Sequence, residues 1–363
     1  MTRIESLDIV RGIACLLILF AHLWGIPVFF SNLFSFPLFQ GGSIGVDIFF
    51  VLSGFLITRI LYTEFQDTQK IDFFKFYIRR LLRLYPAIIL CFFLFALPIY
   101  FTVGLKHTII SFFYLFSYTT VFPKWLEELR LLPMPFIATG WSLSVEEFFY
   151  LIFPLSFSNV IKNIFGYFVT FLLLASLSMF LSKIYLGSGA YHNPIWHMFS
   201  IFLGCVSAFA LSKTPANREE KLFFYYLRQM ILSKKLFICS IITLVCFFVF
   251  SKKTSSVYWV FGNLVISFSA MQMISHLSSI NYPPVEKLSF LKKVGKISYG
   301  LYLYHYPVYQ LLGHYLVLNG YATVGTNFRF WFLIDLLELL FSFFLAAISY
   351  KFVEKKILNL RPV

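Results

Sequence analysis

The chain has 363 residues, of which 59% are hydrophobic and only 13% charged, and its mean hydropathy is +0.80. A water-soluble domain of this length has no use for so much apolar surface, so a polytopic membrane protein is expected. The formal net charge of +14 does not point to nucleic acid, because the Lys and Arg sit in loops between apolar segments, where the positive-inside rule puts them.

Apolar runs long enough to span lie at roughly 8–28, 43–62, 84–103, 142–160, 164–184, 195–212, 235–251, 256–277, 296–317 and 329–352, each near the ~17–25 residues that a bilayer requires. The expectation is a single all-α integral-membrane domain over residues 1–363, with about ten transmembrane helices around an internal cavity. The short apolar segment at about 108–122 reads as a helix lying on or dipping into the outer face. The polar stretch around 213–234, with its run Arg218-Glu219-Glu220-Lys221, reads as a solvated cytoplasmic connector. Ten spans put both termini on one side. Placing that side in the cytoplasm puts roughly three-quarters of the 30 Lys and Arg on the inner face. Five cysteines form no CxxC pair, which argues against a disulfide framework or a zinc site. The first apolar run lacks a small-residue cleavage site and is too long for a signal peptide.

That first run, SLDIVRGIACLLILFAHLW from Ser6 to Trp24, is interrupted at Arg11 and His22. Eleven residues at 100° each make three turns plus about 20°, so both side chains share one helical face, roughly 16 Å apart. Each alone has an ordinary explanation, a snorkelling flank residue or a satisfied core histidine. The second span opens with GGSIGVDIFFVLSGF and the fourth with TGWSLSVEEFFYLIFP. If both begin at the outer face, Asp47 and Glu146 lie about one turn inside, at the depth of His22. Intramembrane carboxylates are expensive and face a cavity or a partner.

Near the inner face, FYIRRLLRLYP adds Arg79, Arg80 and Arg83 to Arg11. Any one of them fits a positive-inside flank; four together form a set of fork-shaped donors suited to phosphate. A phosphate-bearing carrier held there, with its reactive end at His22, fits acyl-CoA, whose pantetheine arm is of about that ~16 Å length.

The pieces LDIVRGIACLLILFAH, GVDIFFVLSGFLIT, RRLLRLYP, WSLSVEEFFYLIFP, ISYGLYLYHYP and SYKFVEK resemble, in order, the membrane acyltransferase 3 family, bacterial O-acetyltransferases of envelope polysaccharides. The resemblance runs from residue 7 to about 356. The family's arginine–histidine motif falls on Arg11 and His22, its paired arginines on Arg80 and Arg83 with Arg79 adjacent, its aspartate on Asp47, its tryptophan–glutamate motif on Trp141 and Glu146, and its late histidine on His305. The resemblance implies acetyl-CoA as donor and an envelope glycan or lipid-linked saccharide, such as O-antigen or exopolysaccharide, as acceptor. It also implies a multi-pass location in the bacterial inner membrane. The C-terminal SGNH domain of some relatives is expected to be absent.

Within that resemblance His22 is expected to act as general base, with Asp47 orienting it or else pairing structurally with another polar side chain, and Glu146 binding or deprotonating the acceptor. A transient acyl-imidazole is the rival route. Arg11, Arg79, Arg80 and Arg83 are expected to hold the donor. Trp141 is expected either to stack on a sugar ring or to sit in the interfacial belt, and His305 either to contact a substrate or to make a helix-packing hydrogen bond. No metal is expected, since the remaining histidines show no ligand spacing. Two alternatives stand beside this reading: a transporter or flippase for a lipid-linked glycan, although no inverted repeat is visible, and acylation of a small secondary metabolite.

Overall fold

The structure is a computed structural model that describes residues 4–23, 41–213, 218–250, 262–279, 288–314, 316, 320 and 328–360. Its helices are α1 Glu5–His22, α2 Ile44–Thr68, α3 Phe73–Phe116, α4 Val121–Trp125, α5 Gly140–Lys162, α6 Ile164–Leu186, α7 Pro194–Ser212, α8 Arg218–Leu232, α9 Lys234–Phe250, α10 Asn263–Ser279, α11 Ser289–Tyr309, α12 Phe328–Ser349 and α13 Lys355–Leu358. No strand occurs among the described residues. A helix occupies the described part of every expected apolar run. Among the described residues five helical segments are long and apolar enough to cross a membrane on their own, and α8 with α9, bent by 70°, makes a sixth if taken together. The protein is a polytopic membrane protein.

Local chemistry sets several helix starts. Asp72 caps α3 by accepting from the Lys75 N–H at 2.9 Å, and Asn163 caps α6 through the Gly166 N–H at 3.0 Å. Asn193 caps α7 through the Trp196 N–H at 3.1 Å, with Pro194 in the first turn, where its missing N–H costs nothing.

Two close crossings hold the interior together. Gly54 on α2 and Gly204 on α7 face each other so tightly that a Cβ on either would overlap the other helix's backbone, at the Ile201 and Val51 carbonyls. Gly12 on α1 and Gly295 on α11 meet the Leu291 and Asp8 carbonyls in the same way. Small residues let helices approach closely where the surrounding lipid supplies no hydrophobic drive for association.

One expected span folds back on itself after a break, and one expected connector is a packed helix. Helix α3 breaks at Gly104, whose φ of 82° lies in the region that favours glycine. The arm beyond it folds back along the first half: Phe92 meets Phe112 with centroids 5.0 Å apart, and the Tyr85 hydroxyl donates to the Phe116 carbonyl at 3.1 Å. The apolar stretch near 108–122 thus includes a helical arm packed against the first half of α3, with Phe112 and Leu115 buried and Ile109 and Phe113 exposed. The stretch 213–234 is no solvated connector: its described part contains α8, which buries Phe224 and Ile231. Arg228 donates to the Ala210 carbonyl, and to the Lys213 carbonyl at 2.9 Å, satisfying carbonyls that the end of α7 leaves open. Lys213 and Glu220 form a buried ion pair at 2.5 Å. The apolar residues of α8 recur at helical spacing, and that stripe, rather than the charges beside it, decides where the segment lies.

Candidate functional site

Two cavities meet end to end inside the bundle. The central one is lined by Arg11, Arg80, Arg83, Ser53, Glu146 and Tyr150, among others. The second is lined by His22, Trp141, Lys124, Tyr191, His192 and Tyr306, among others. Ile18, Val46 and Tyr302 line both and stand between them. At its other end the central cavity shares Ile60, Arg80 and Arg83 with a wide opening that also carries Arg79, Lys70 and Lys75. The arginines and His22 thus border adjoining cavities, with Arg79 at the wide opening and Arg80 and Arg83 further in.

His22 is the last residue of α1. Its Nδ1 lies 2.8 Å from the Ile18 carbonyl. A carbonyl only accepts, so this contact assigns the proton to Nδ1 and leaves Nε2 as the basic nitrogen. The ring is packed edge-on against His305, Tyr306 and Tyr309, with centroids 5.1, 5.5 and 5.9 Å away. His305 Nδ1 is itself 2.6 Å from the Tyr302 carbonyl. His22, His305 and Tyr309 also border a small third cavity with Glu338 and Ser342 from α12.

Asp47 does not orient His22. It is buried between α2 and α7, with Oδ1 3.5 Å from His197 Nδ1, and it borders neither main cavity. Asp47 and Gly54 are seven residues apart, two helical turns, so they share the face that the Gly54–Gly204 crossing turns towards α7. The acceptor set against His22 Nδ1 is the Ile18 carbonyl.

Glu146 is also displaced from its expected layer. It accepts from the Ser53 and Tyr150 hydroxyls and lines the arginine cavity, whereas His22 lines the next one. The cause is the start of α5. This helix begins inside the bundle, where the Thr139 carbonyl accepts from the Tyr302 hydroxyl at 3.0 Å and Gly140 packs on Thr120 and Leu115. Glu146 is six residues further in, about 9 Å. Arg80 stacks over the Tyr150 ring with its guanidinium carbon 3.9 Å from the centroid, a cation–π contact that fixes the fork beside Glu146.

Trp141 lines the His22 chamber. Its ring meets His192 at 4.9 Å, His197 at 5.1 Å and Tyr191 at 5.4 Å. Tyr191, His192 and Lys124 carried no motif in the sequence; only the Asn193–Pro194 helix start, which sets Tyr191 and His192 just outside α7, hints at their exposure to the chamber. Asp8 accepts from Arg11 Nη1 at 2.9 Å, the i,i+3 pair that helical spacing permits. Among the described residues no three His, Cys, Asp or Glu side chains converge as a metal site.

Residues 4–351 match the family model described as an acyltransferase domain. The chain belongs to this family. Among relatives of this acyltransferase-family chain is an O-acetyltransferase OatA of Staphylococcus aureus, 29% identical over 349 residues, covering 88% of this chain and 53% of the relative. The peptidoglycan O-acetyltransferase OatA of Listeria monocytogenes is 30% identical over 375 residues, covering 98% of this chain and 56% of the relative. The putative peptidoglycan O-acetyltransferase YrhL of Bacillus subtilis is 30% identical over 381 residues, covering 98% and 55%. The chain therefore spans about half the length of the curated relatives it matches. No solved structure matches it.

Proposed function

We propose that this protein moves an acyl group, acetyl by analogy with its relatives, from cytoplasmic acyl-CoA to a hydroxyl of a cell-wall glycan on the other side of the membrane. The observation that carries the reading is that the arginine-lined cavity and the His22 chamber adjoin at Ile18, Val46 and Tyr302, which we read as a throat between them. Peptidoglycan is the acceptor class that the names of the relatives favour. Arg79, Arg80, Arg83 and Arg11 hold the nucleotide phosphates at the basic end. The pantetheine arm runs along the central cavity and delivers the thioester to the throat.

The acceptor hydroxyl enters the chamber of Trp141, Tyr191 and His192, where aromatic faces suit a sugar ring. His22 Nε2 takes the hydroxyl proton as the oxygen attacks the thioester carbonyl carbon. The carbon–sulfur bond then breaks, and the departing CoA thiolate takes the proton back from His22. His305 holds the His22 ring, and Glu146 works on the donor side, fixing Arg80 through Tyr150 and accepting from the amides of the arm.

Inverted membrane vesicles supplied with labelled acetyl-CoA and peptidoglycan glycan strands test the reading. Label transferred to the strands by the wild-type chain, and lost in His22→Ala at equal levels of folded protein, supports it. Wild-type transfer by His22→Ala removes His22 from the reaction.

A further inference from the structure

Of the three residues that line both cavities, Ile18, Val46 and Tyr302, only Tyr302 carries a polar group. Its ring is buried, 7% exposed. Its hydroxyl is 2.5 Å from Ser142 Oγ and donates to the Thr139 carbonyl at 3.0 Å. Ser142 is itself within 3.5 Å of that carbonyl. Two hydroxyl protons therefore serve one carbonyl and one hydroxyl oxygen, and the pair has two arrangements. In one, Tyr302 donates to Thr139 and Ser142 donates to Tyr302. In the other, Ser142 donates to Thr139 and the Tyr302 proton turns into the throat. The buried Thr139 carbonyl keeps a donor in both, so the switch leaves no orphaned acceptor.

We propose that Tyr302, freed by Ser142, is a catalytic residue whose hydroxyl hydrogen-bonds the thioester oxygen at the throat as it becomes an oxyanion. This rests on the acyl-transfer reading above. The reacting carbon must lie between the donor cavity and the His22 chamber, and Tyr302 borders both. When the acceptor oxygen bonds to the carbonyl carbon, the π pair of the C=O bond moves onto oxygen. The Tyr302 O–H donates to that oxygen while His22 holds the acceptor's proton. The pair then returns, the carbon–sulfur bond breaks and the thiolate leaves with the proton from His22. Ile18 and Val46 keep the throat apolar, so a donor there acts at low local dielectric, where charge stabilisation is strongest. The Tyr302 carbonyl also accepts from His305 Nδ1 if that nitrogen carries the proton, which couples the hydroxyl's place to the ring that packs on His22.

The test uses the full chain in lipid nanodiscs, with labelled acetyl-CoA as donor and soluble peptidoglycan strands as the acceptor probe. Tyr302→Phe keeps the ring and removes the donor. Its kcat is expected to fall about 10²–10³-fold, the range for loss of one oxyanion donor, while KM for acetyl-CoA and the affinity for CoA alone stay within about threefold of wild type. Ser142→Ala is expected to cost about tenfold in kcat, because Tyr302 then has to abandon Thr139 to reach the throat. A wild-type kcat in Tyr302→Phe, or a raised KM with kcat retained, overturns the proposal and leaves Tyr302 as a wall. If Tyr302→Phe fails to bind CoA, Ser142→Ala decides: kcat must drop with CoA affinity kept, and an unchanged kcat overturns it. Transfer lost in His22→Ala but retained in Tyr302→Phe defeats this inference alone, whereas transfer retained in His22→Ala defeats the reading beneath it.

Discussion

The imidazole of His22 hangs from its own helix: its Nδ1 lies 2.8 Å from the Ile18 carbonyl, while the His305 ring closes on it edge-on at 5.1 Å. The first contact fixes the tautomer and the second fixes the ring plane. Replacing His305 by Phe keeps an aromatic wall of similar size but removes a polar ring, so His22 stays in place and loses a neighbour. The expected result is a fall in kcat of about tenfold, against about 10²–10⁴-fold for His22→Ala. Single-turnover rates of label transfer from acetyl-CoA separate the two variants. An equal loss in both would make His305 a participant rather than a support.

Asp47 and His197 form a structural couple, 3.5 Å apart and both almost fully buried. Removing one partner leaves the other in an apolar setting without compensation. Asp47→Ala and His197→Ala should each lower the melting temperature in detergent. The double variant should show a coupling energy of about 1–3 kcal/mol, the range for residues in direct contact. Additive losses would mean that the two side chains act independently. Asp47→Asn, which keeps the shape, should lower the amount of folded protein more than it lowers kcat per folded molecule.

The contrast between these two sites shows what the residues alone could tell. Arg11 and His22 sit on one helix, so the period of that helix was enough to put them on a common face, and they border adjoining cavities. The depth of Glu146 depended on where α5 begins. That start is set by the α3 arm folding back at Gly104 and by the packing of Gly140 on Thr120, contacts between segments that no local pattern reports. The partner of Asp47 was hidden for a similar reason: His197 lies 150 positions further along, on a helix whose register is set by the Gly54–Gly204 crossing. The shared face of Asp47 and Gly54 was readable in principle, since seven residues make two turns. The stretch around Arg218 was misread because its charges were weighed before its apolar period.

The arginines should differ by position. Arg80 and Arg83 line both the central cavity and its mouth, whereas Arg79 lines the mouth alone. Arg80 is also stacked on Tyr150 at 3.9 Å. Lysine keeps the charge but loses the planar fork and the stacking. Arg80→Lys and Arg83→Lys should therefore raise KM for acetyl-CoA by about tenfold or more, consistent with loss of a charge-assisted bidentate contact. Arg79→Lys should raise it by only about two- to threefold, as for an exposed ion pair. Titration of initial rates against acetyl-CoA gives the order directly. A larger effect at Arg79 than at Arg80 would move the phosphate site to the mouth.

The geometry of α1 depends on its contact with α11, and this can be tested away from any polar group. Gly295 lies against the Asp8 carbonyl, and Gly12 against the backbone of α11 at Leu291 and Gly295. A methyl group at either position meets backbone, which cannot swing aside as a flexible side chain can. Gly295→Ala must push α1 outward, drawing His22 away from His305 and Arg11 away from the central cavity together. Overpacking of this kind costs about 1–3 kcal/mol or more. The expected outcome is a lower melting temperature, and in the fraction that stays folded, a raised KM for acetyl-CoA together with a reduced kcat. Ile13, next to Gly12 but 40% exposed on the outer side of the helix, supplies the control: Ile13→Ala should shift stability by only about 0.5 kcal/mol. If Gly295→Ala kept wild-type stability and both kinetic constants, the α1–α11 crossing would not be what holds the two ends of the path in line.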